Sequence, residues 1–219
     1  MSQALLAALQ LGDSAFPSGA FTQSYGLETL VAEHAVSSAA GVETVLATHL
    51  RHRLARADLP ALLAGHRAAA DADASLVLRI DAALTATKMS REERQASHRI
   101  GARLVAEVTR LAPHPILASS PRNAAVAFAL AGYALGLSAR ESAHTYGYSF
   151  ASALVSASMR LLRIGHGEAQ IVLHRSHPLI EQAVDDAETI RWDALCPFAP
   201  RLDLAAARHE RSATRLFAS

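Results

Sequence analysis

The chain has 219 residues, 51% of them hydrophobic and 19% charged, with a formal net charge of +1. That length supports a buried core without disulfide or metal staples. The near-neutral balance excludes a global field for nucleic acid or anionic lipid, and no run reaches the roughly 18 apolar residues of a membrane span. Cys196 is the only cysteine. It can form no internal disulfide, which points to a cytoplasmic protein.

Helical periodicity dominates from the start. Residues 1–11 are apolar but short and lack a basic start, so they read as a mature helix over 2–11 rather than a signal peptide. A helix is expected over 24–36. From Val42 the apolar positions run Val42, Val45, Leu46, Leu50 and Leu54, a spacing of threes and fours. Helices are expected next over 59–70 and 73–88. Ser90 and Glu93 form a capping box before the stripe Ala96, Ile100, Leu104, Val105, Val108 and Leu111, and Pro113 stops that helix. A helix over 121–136 follows. Ser138 and Glu141 make a second box, opening a segment toward Arg160. Its stretch Ser149–Met159 is built from small residues and reads as a central, buried helix. Ile171-Val172-Leu173 is the only run that invites a strand assignment, and it sits among helices. A last helix is expected over 178–190. The sum is an all-α fold, a single domain over 1–219 with about eight to ten helices and a flexible C-terminal tail over 201–219. Turn formers mark loops at Phe16–Gly19, Pro113–Pro121 and Pro197–Pro200.

Chemistry is sparse. His49 and His52 are spaced i, i+3, as are His174 and His177, and on a helix either pair could face one ion. Neither has a third ligand nearby in sequence. Gly-x-Ser-x-Gly, Ser-x-x-Lys and the P-loop pattern are all missing. Arg91, Arg94, Arg99, Arg103 and Arg110 lie opposite an apolar stripe, with Glu92, Glu93 and Glu107 among them. This reads as a solvated face, and aromatic residues are too few for base stacking.

Two segments stand apart. Asp13-Ser14-Ala15-Phe16-Pro17-Ser18-Gly19-Ala20-Phe21 places two phenylalanines in a turn-rich loop, followed by Gly26-Leu27-Glu28. The chain ends Arg215-Leu216-Phe217-Ala218-Ser219, which puts apolar groups where chains usually fray.

On these segments the sequence resembles the urease accessory protein UreF family. Asp13 to Gly19 followed by Gly26-Leu27-Glu28 is similar to its N-terminal signature. The helix Arg91 to Arg103, the small-residue helix leading into Arg160-Leu161 and Gly165, and His209-Glu210 with the Arg215-Leu216-Phe217 end follow in the same order. Arg163, His166, Asn123 and Ala129 depart from the family's usual residues.

The resemblance implies an all-α homodimer that is not an enzyme and holds no stable cofactor. It implies three partners: UreD (UreH in some systems), the nickel-carrying GTPase UreG, and apo-urease, with nickel handled by the assembled complex. It implies a UreG-facing role for Glu28 and Arg160, and a UreD-facing role for Arg215, Leu216 and Phe217. Asp13, Ser14, Phe16, Pro17 and Gly19 form the signature loop. The alternatives are a metal-dependent helical enzyme using His174 and His177, and a nucleic-acid-binding bundle, which the charge balance disfavours.

Overall fold

The structure, a computed structural model, describes residues 2–210 and 216–217. Among the described residues the regular elements are all helices, and one hydrophobic core joins them. In chain order they are α1 (Ser2–Gly12), α2 (Leu27–Ala32), α3 (Ala39–His49), α4 (Leu59–Ala70), α5 (Ala74–Thr87), α6 (Arg91–Leu111), α7 (Ala124–Ala134), α8 (Ala139–Leu161), α9 (His166–Glu188) and α10 (Pro200–His209).

Four elements differ from the sequence expectation, each for a physical reason. The helix expected from residue 24 begins only at Leu27, because Tyr25 and Gly26 both adopt left-handed backbone conformations, at φ 53° and 82°. The run 171–173 lies inside α9, which starts twelve residues before Pro178 and carries that proline in its interior. Gly165 supplies no side-chain cap there, so the helix start gave no sequence signal. Residues 201–209, read as part of a tail, lie in α10, which starts at Pro200 and buries Leu202, Ala205 and His209. The helix buried on all sides is α7, not the small-residue stretch of α8. Ala124 through Gly132 are all buried, and α7 packs chiefly against α4 and α6. An unbroken apolar run has no face to give to water.

α3 and α4 are joined by a π-helical segment, Leu50–Asp58. Pro60 explains part of this geometry, because it has no N–H to offer the carbonyl of Arg56. That carbonyl accepts instead from the Cys196 amide at 3.2 Å, and the His52 carbonyl accepts from Phe198 at 3.0 Å. The chain after α9 is thereby fastened to the π segment. The wider turn leaves Arg53 buried on the inner side.

Polar ties lock the helices in register. The Asp81 carboxylate on α5 accepts from the amides of Arg122 and Asn123 at 3.1 and 2.7 Å. The Asn123 side chain donates to Thr85 and to the Asp81 carbonyl, and Ser97 on α6 donates to the Asn123 side-chain oxygen. Every member of the Asp81, Ser97 and Asn123 set is buried, so the loop before α7 is held by satisfied groups. Gly101 lets α6 approach that loop: a Cβ there would sit 2.2 Å from the Arg122 carbonyl oxygen. The two expected capping boxes diverge. At Ser138 and Glu141 both reciprocal bonds form. At Ser90 only the serine half forms, because the Glu93 carboxylate is taken by Arg53 and Lys88.

His49 sits in the core, its Nε2 donating to the Tyr25 carbonyl at 3.0 Å and its ring against Phe150. Burial first, and then the nearby Arg53 charge, lower its pKa from 6.5 to about 3. Between those values the unfolded chain binds the extra proton and the folded chain does not. Stability therefore falls as pH falls through that window, by about 1.4 kcal/mol per pH unit for this group. Urea unfolding at pH 7 and pH 5 is expected to show a loss of about 2 kcal/mol from this group, an increment missing in His49→Gln.

Candidate functional site

The signature loop folds by local hydrogen bonding. The Asp13 carboxylate accepts from the Ala15 amide at 2.8 Å, and the Asp13 carbonyl accepts from Phe16 at 3.0 Å. This is the turn-forming use of aspartate. Phe16 is thereby turned into the core, while Asp13, Ser14 and Pro17 stay exposed. Gly19 follows at φ 82°, a left-handed conformation that a Cβ would strain. The Arg103 guanidinium of α6 lies against it, 2.9 Å from where a Cβ would be. Phe21, the second loop phenylalanine, remains 43% exposed.

Beneath this loop runs one face of α8. Ser149, Ser152 and Ser156 line a surface groove with Asp13, Phe16 and Ser18, and Arg160 closes its end. These serines face the groove while Phe150, Leu154 and Ala157 of the same helix enter the core. The small side chains of α8 thus serve two purposes, close packing inside and a shallow trough outside.

At the Arg160 end Leu216 and Phe217 lie against the helices. The Arg160 guanidinium lies over the Phe217 ring, 5.4 Å from its centroid. Phe217 is buried, whereas Leu216 is 75% exposed. The backbone amides of Leu216 and Phe217 donate to the two carboxylate oxygens of Glu28, at 2.7 and 3.2 Å. Glu28 stands in the first turn of α2. Its carboxylate also contacts His209 Nε2 at 2.9 Å, and His209 Nδ1 lies 2.9 Å from Glu92 on α6. Glu92 in turn donates its backbone N–H to Glu210 at 2.7 Å.

Glu28, Arg160, Leu216 and Phe217, for which the family resemblance implied two different partner surfaces, therefore meet in one place. Phe217 is covered by its own chain, and Leu216 is left open. Arg215 lies outside the described residues. The signature-loop residues Asp13, Ser14 and Pro17 line the groove on the same face of α8 that Arg160 closes, with Phe16 as their anchor, and Gly19 lies against Arg103 of α6. His49 and His52 do not form a pair, since His49 is buried and His52 exposed across the start of the π segment. His174 and His177 do come together on α9, with ring centroids 5.2 Å apart at the surface. Among the described residues no group of three metal-ligating side chains surrounds them or any other point.

Sequence reasoning missed Glu92 and His209 as members of the site. Glu92 read as one charge on a solvated face, and His209 only as part of a matching block. They lie 117 residues apart, and His209 lies 181 from Glu28, so only folding shows the contact.

A family model described as UreF matches residues 36–177. The chain belongs to the UreF family. It is 37% identical over 220 residues to the urease accessory protein UreF of Cereibacter sphaeroides (strain ATCC 17025 / ATH 2.4.3), covering 99% of each chain. It is 29% identical over 224 residues to the urease accessory protein UreF of Bacillus sp. (strain TB-90), covering 98% of this chain and 99% of that relative. The UreF of Yersinia enterocolitica is similar at 29% over 224 residues, covering 98% of each. The signature loop and the C-terminal segment lie outside the span of the family model, while these relatives match nearly the full length of the chain. The surface described above thus combines α6 and α8, inside that span, with chain on either side of it.

Gly19→Ala tests the loop geometry. The left-handed backbone and the displaced Arg103 are expected to cost about 1–2 kcal/mol of stability, read as a lower urea midpoint with unchanged slope.

Proposed function

We propose that this UreF-family chain is a non-enzymatic scaffold of the cytoplasm. It binds UreD (UreH) and recruits the GTPase UreG, so that GTP hydrolysis is coupled to nickel insertion into apo-urease. In this reading nickel is the cargo of the assembled complex, and the scaffold works as a homodimer. The observation that supports it is the convergence of Glu28, Arg160, Leu216 and Phe217 on one surface, continuous along α8 with the signature-loop groove.

The chemistry of that surface suits protein docking. Arg160 offers a guanidinium, Leu216 and Phe21 offer apolar contact, and the groove offers hydroxyls. Such groups set orientation and specificity between proteins. Glu28 and Arg160 are assigned to UreG, and Arg215, Leu216 and Phe217 to UreD. Because Phe217 rests on Arg160 and the tail amides rest on Glu28, the two docking surfaces share an edge. Occupancy of one changes the shape offered to the other.

Co-expression of the tagged chain with UreD and UreG, followed by size exclusion, tests this. The wild type is expected to elute with both. Arg160→Ala is expected to keep UreD and weaken UreG capture by about tenfold or more. Phe217→Ala is expected to weaken both. Elution of the wild-type chain alone would overturn the scaffold reading, and undiminished UreG capture by Arg160→Ala would remove Arg160 from that interface.

A further inference from the structure

His209 is enclosed between carboxylates from two other helices, with only 2% of its side chain exposed. Nε2 and Nδ1 each lie 2.9 Å from a glutamate oxygen, of Glu28 and Glu92 respectively. An ionised carboxylate only accepts hydrogen bonds. Each contact is therefore a bond only if its ring nitrogen carries a proton. Two such contacts require the imidazolium, whichever tautomer or ring flip is chosen. A neutral ring would press one lone pair against a carboxylate oxygen where water is scarce.

The geometry points to His209 as a proton-dependent positioning residue, whose imidazolium clasps Glu28 to Glu92 and holds the Glu28 carboxylate where the Leu216 and Phe217 amides dock. The clasp concerns attachment of the C-terminal segment and does not depend on which partner the surface serves. α10 packs on α2 and α6. Among the described residues, the charged groups facing the ring are Glu28 from α2 and Glu92 from α6. Glu210, next in the chain, binds the Glu92 backbone, and Arg208 is turned away to Glu33 at the surface. Arg160 of α8 reaches the Phe217 ring. The segment is attached while the ring is charged. A ring that carries one proton can donate to only one of the two carboxylates, so the tie between α2 and α6 opens and the Glu28 carboxylate is no longer fixed from both sides where the two backbone amides meet it.

Nuclear magnetic resonance on the 15N-labelled full chain tests this. At the acid end of the stable range, both His209 ring nitrogens are expected to be protonated, and the Leu216 and Phe217 amides to be shifted downfield and protected from exchange. As pH rises, that protection, corrected for intrinsic exchange, is expected to fall about tenfold with the same midpoint as ring deprotonation. His209→Gln is expected to lack the protection at every pH while the amides of α6 and α8 stay protected. If that variant does not fold, the wild-type titration decides alone. Protection that persists after the ring has lost its proton, or a bare ring nitrogen while both amides remain bound, overturns the assignment.

Discussion

The rest of the structure depends on a buried knot of charge around Arg53. The guanidinium reaches both Glu93 on α6 and Asp203 on α10, and Lys88 bridges Asp58 and Glu93 beside it. Burial alone would lower the pKa of Arg53 and of Lys88; the neighbouring carboxylates more than reverse this, and both cations stay charged. Burial would raise Glu93, but Lys88 and Arg53 hold it below the ordinary carboxylate range. Asp203 is the exception: burial keeps its carboxyl above the usual range even with Arg53 beside it. Buried pairs of this kind repay little net stability because desolvation consumes the Coulomb gain. Losing one partner is different, since it strands an uncompensated charge at a cost of about 3–5 kcal/mol. The knot therefore specifies an arrangement more than it strengthens one.

What it specifies is the position of α10. That helix is tied to Arg53 through Asp203 near its start and to Glu28 and Glu92 through His209 at its end. With both ends fixed, α10 lies beside the place where Leu216 and Phe217 meet Glu28 and Arg160. The π segment matters for the same reason: it leaves Arg53 buried and frees carbonyls that fasten the chain leading into α10. Segments of this kind recur at functional sites because they place a side chain where a regular helix would not.

A surface that serves protein docking has to be both defined and open. The loop Asp13–Gly19 is defined by its own hydrogen bonds and by Phe16 in the core, yet its polar residues remain outside. The serine face of α8 is open because its opposite face carries the packing. Among the described residues after α10, Phe217 is buried and the Leu216 and Phe217 amides bind a carboxylate, while the Leu216 side chain stays exposed. Rigid helices thus carry a surface that combines buried anchors with exposed apolar and polar groups.

The amphipathic stripe of α6, the Ser138–Glu141 cap of α8 and the absence of strand-like alternation made the all-α class readable from spacing, because helical periodicity is a local property of the chain. The order of the signature blocks made the family readable too, as did Glu28, Arg160 and the Leu216-Phe217 end as residues of interest. Tertiary structure decided what those residues do to one another. The Glu93 carboxylate left its expected cap for Arg53, forty residues away, because a buried guanidinium demands a counter-charge more strongly than a helix end does. His49 and His52, adjacent by helical spacing, were separated across the start of a π turn into core and solvent. Glu28 and Phe217, at opposite ends of the chain, were brought into hydrogen-bonding contact through α2, α10 and His209. Patterns of three and four residues report which face is buried. Contacts across nearly two hundred residues arise only when several such faces close on one core.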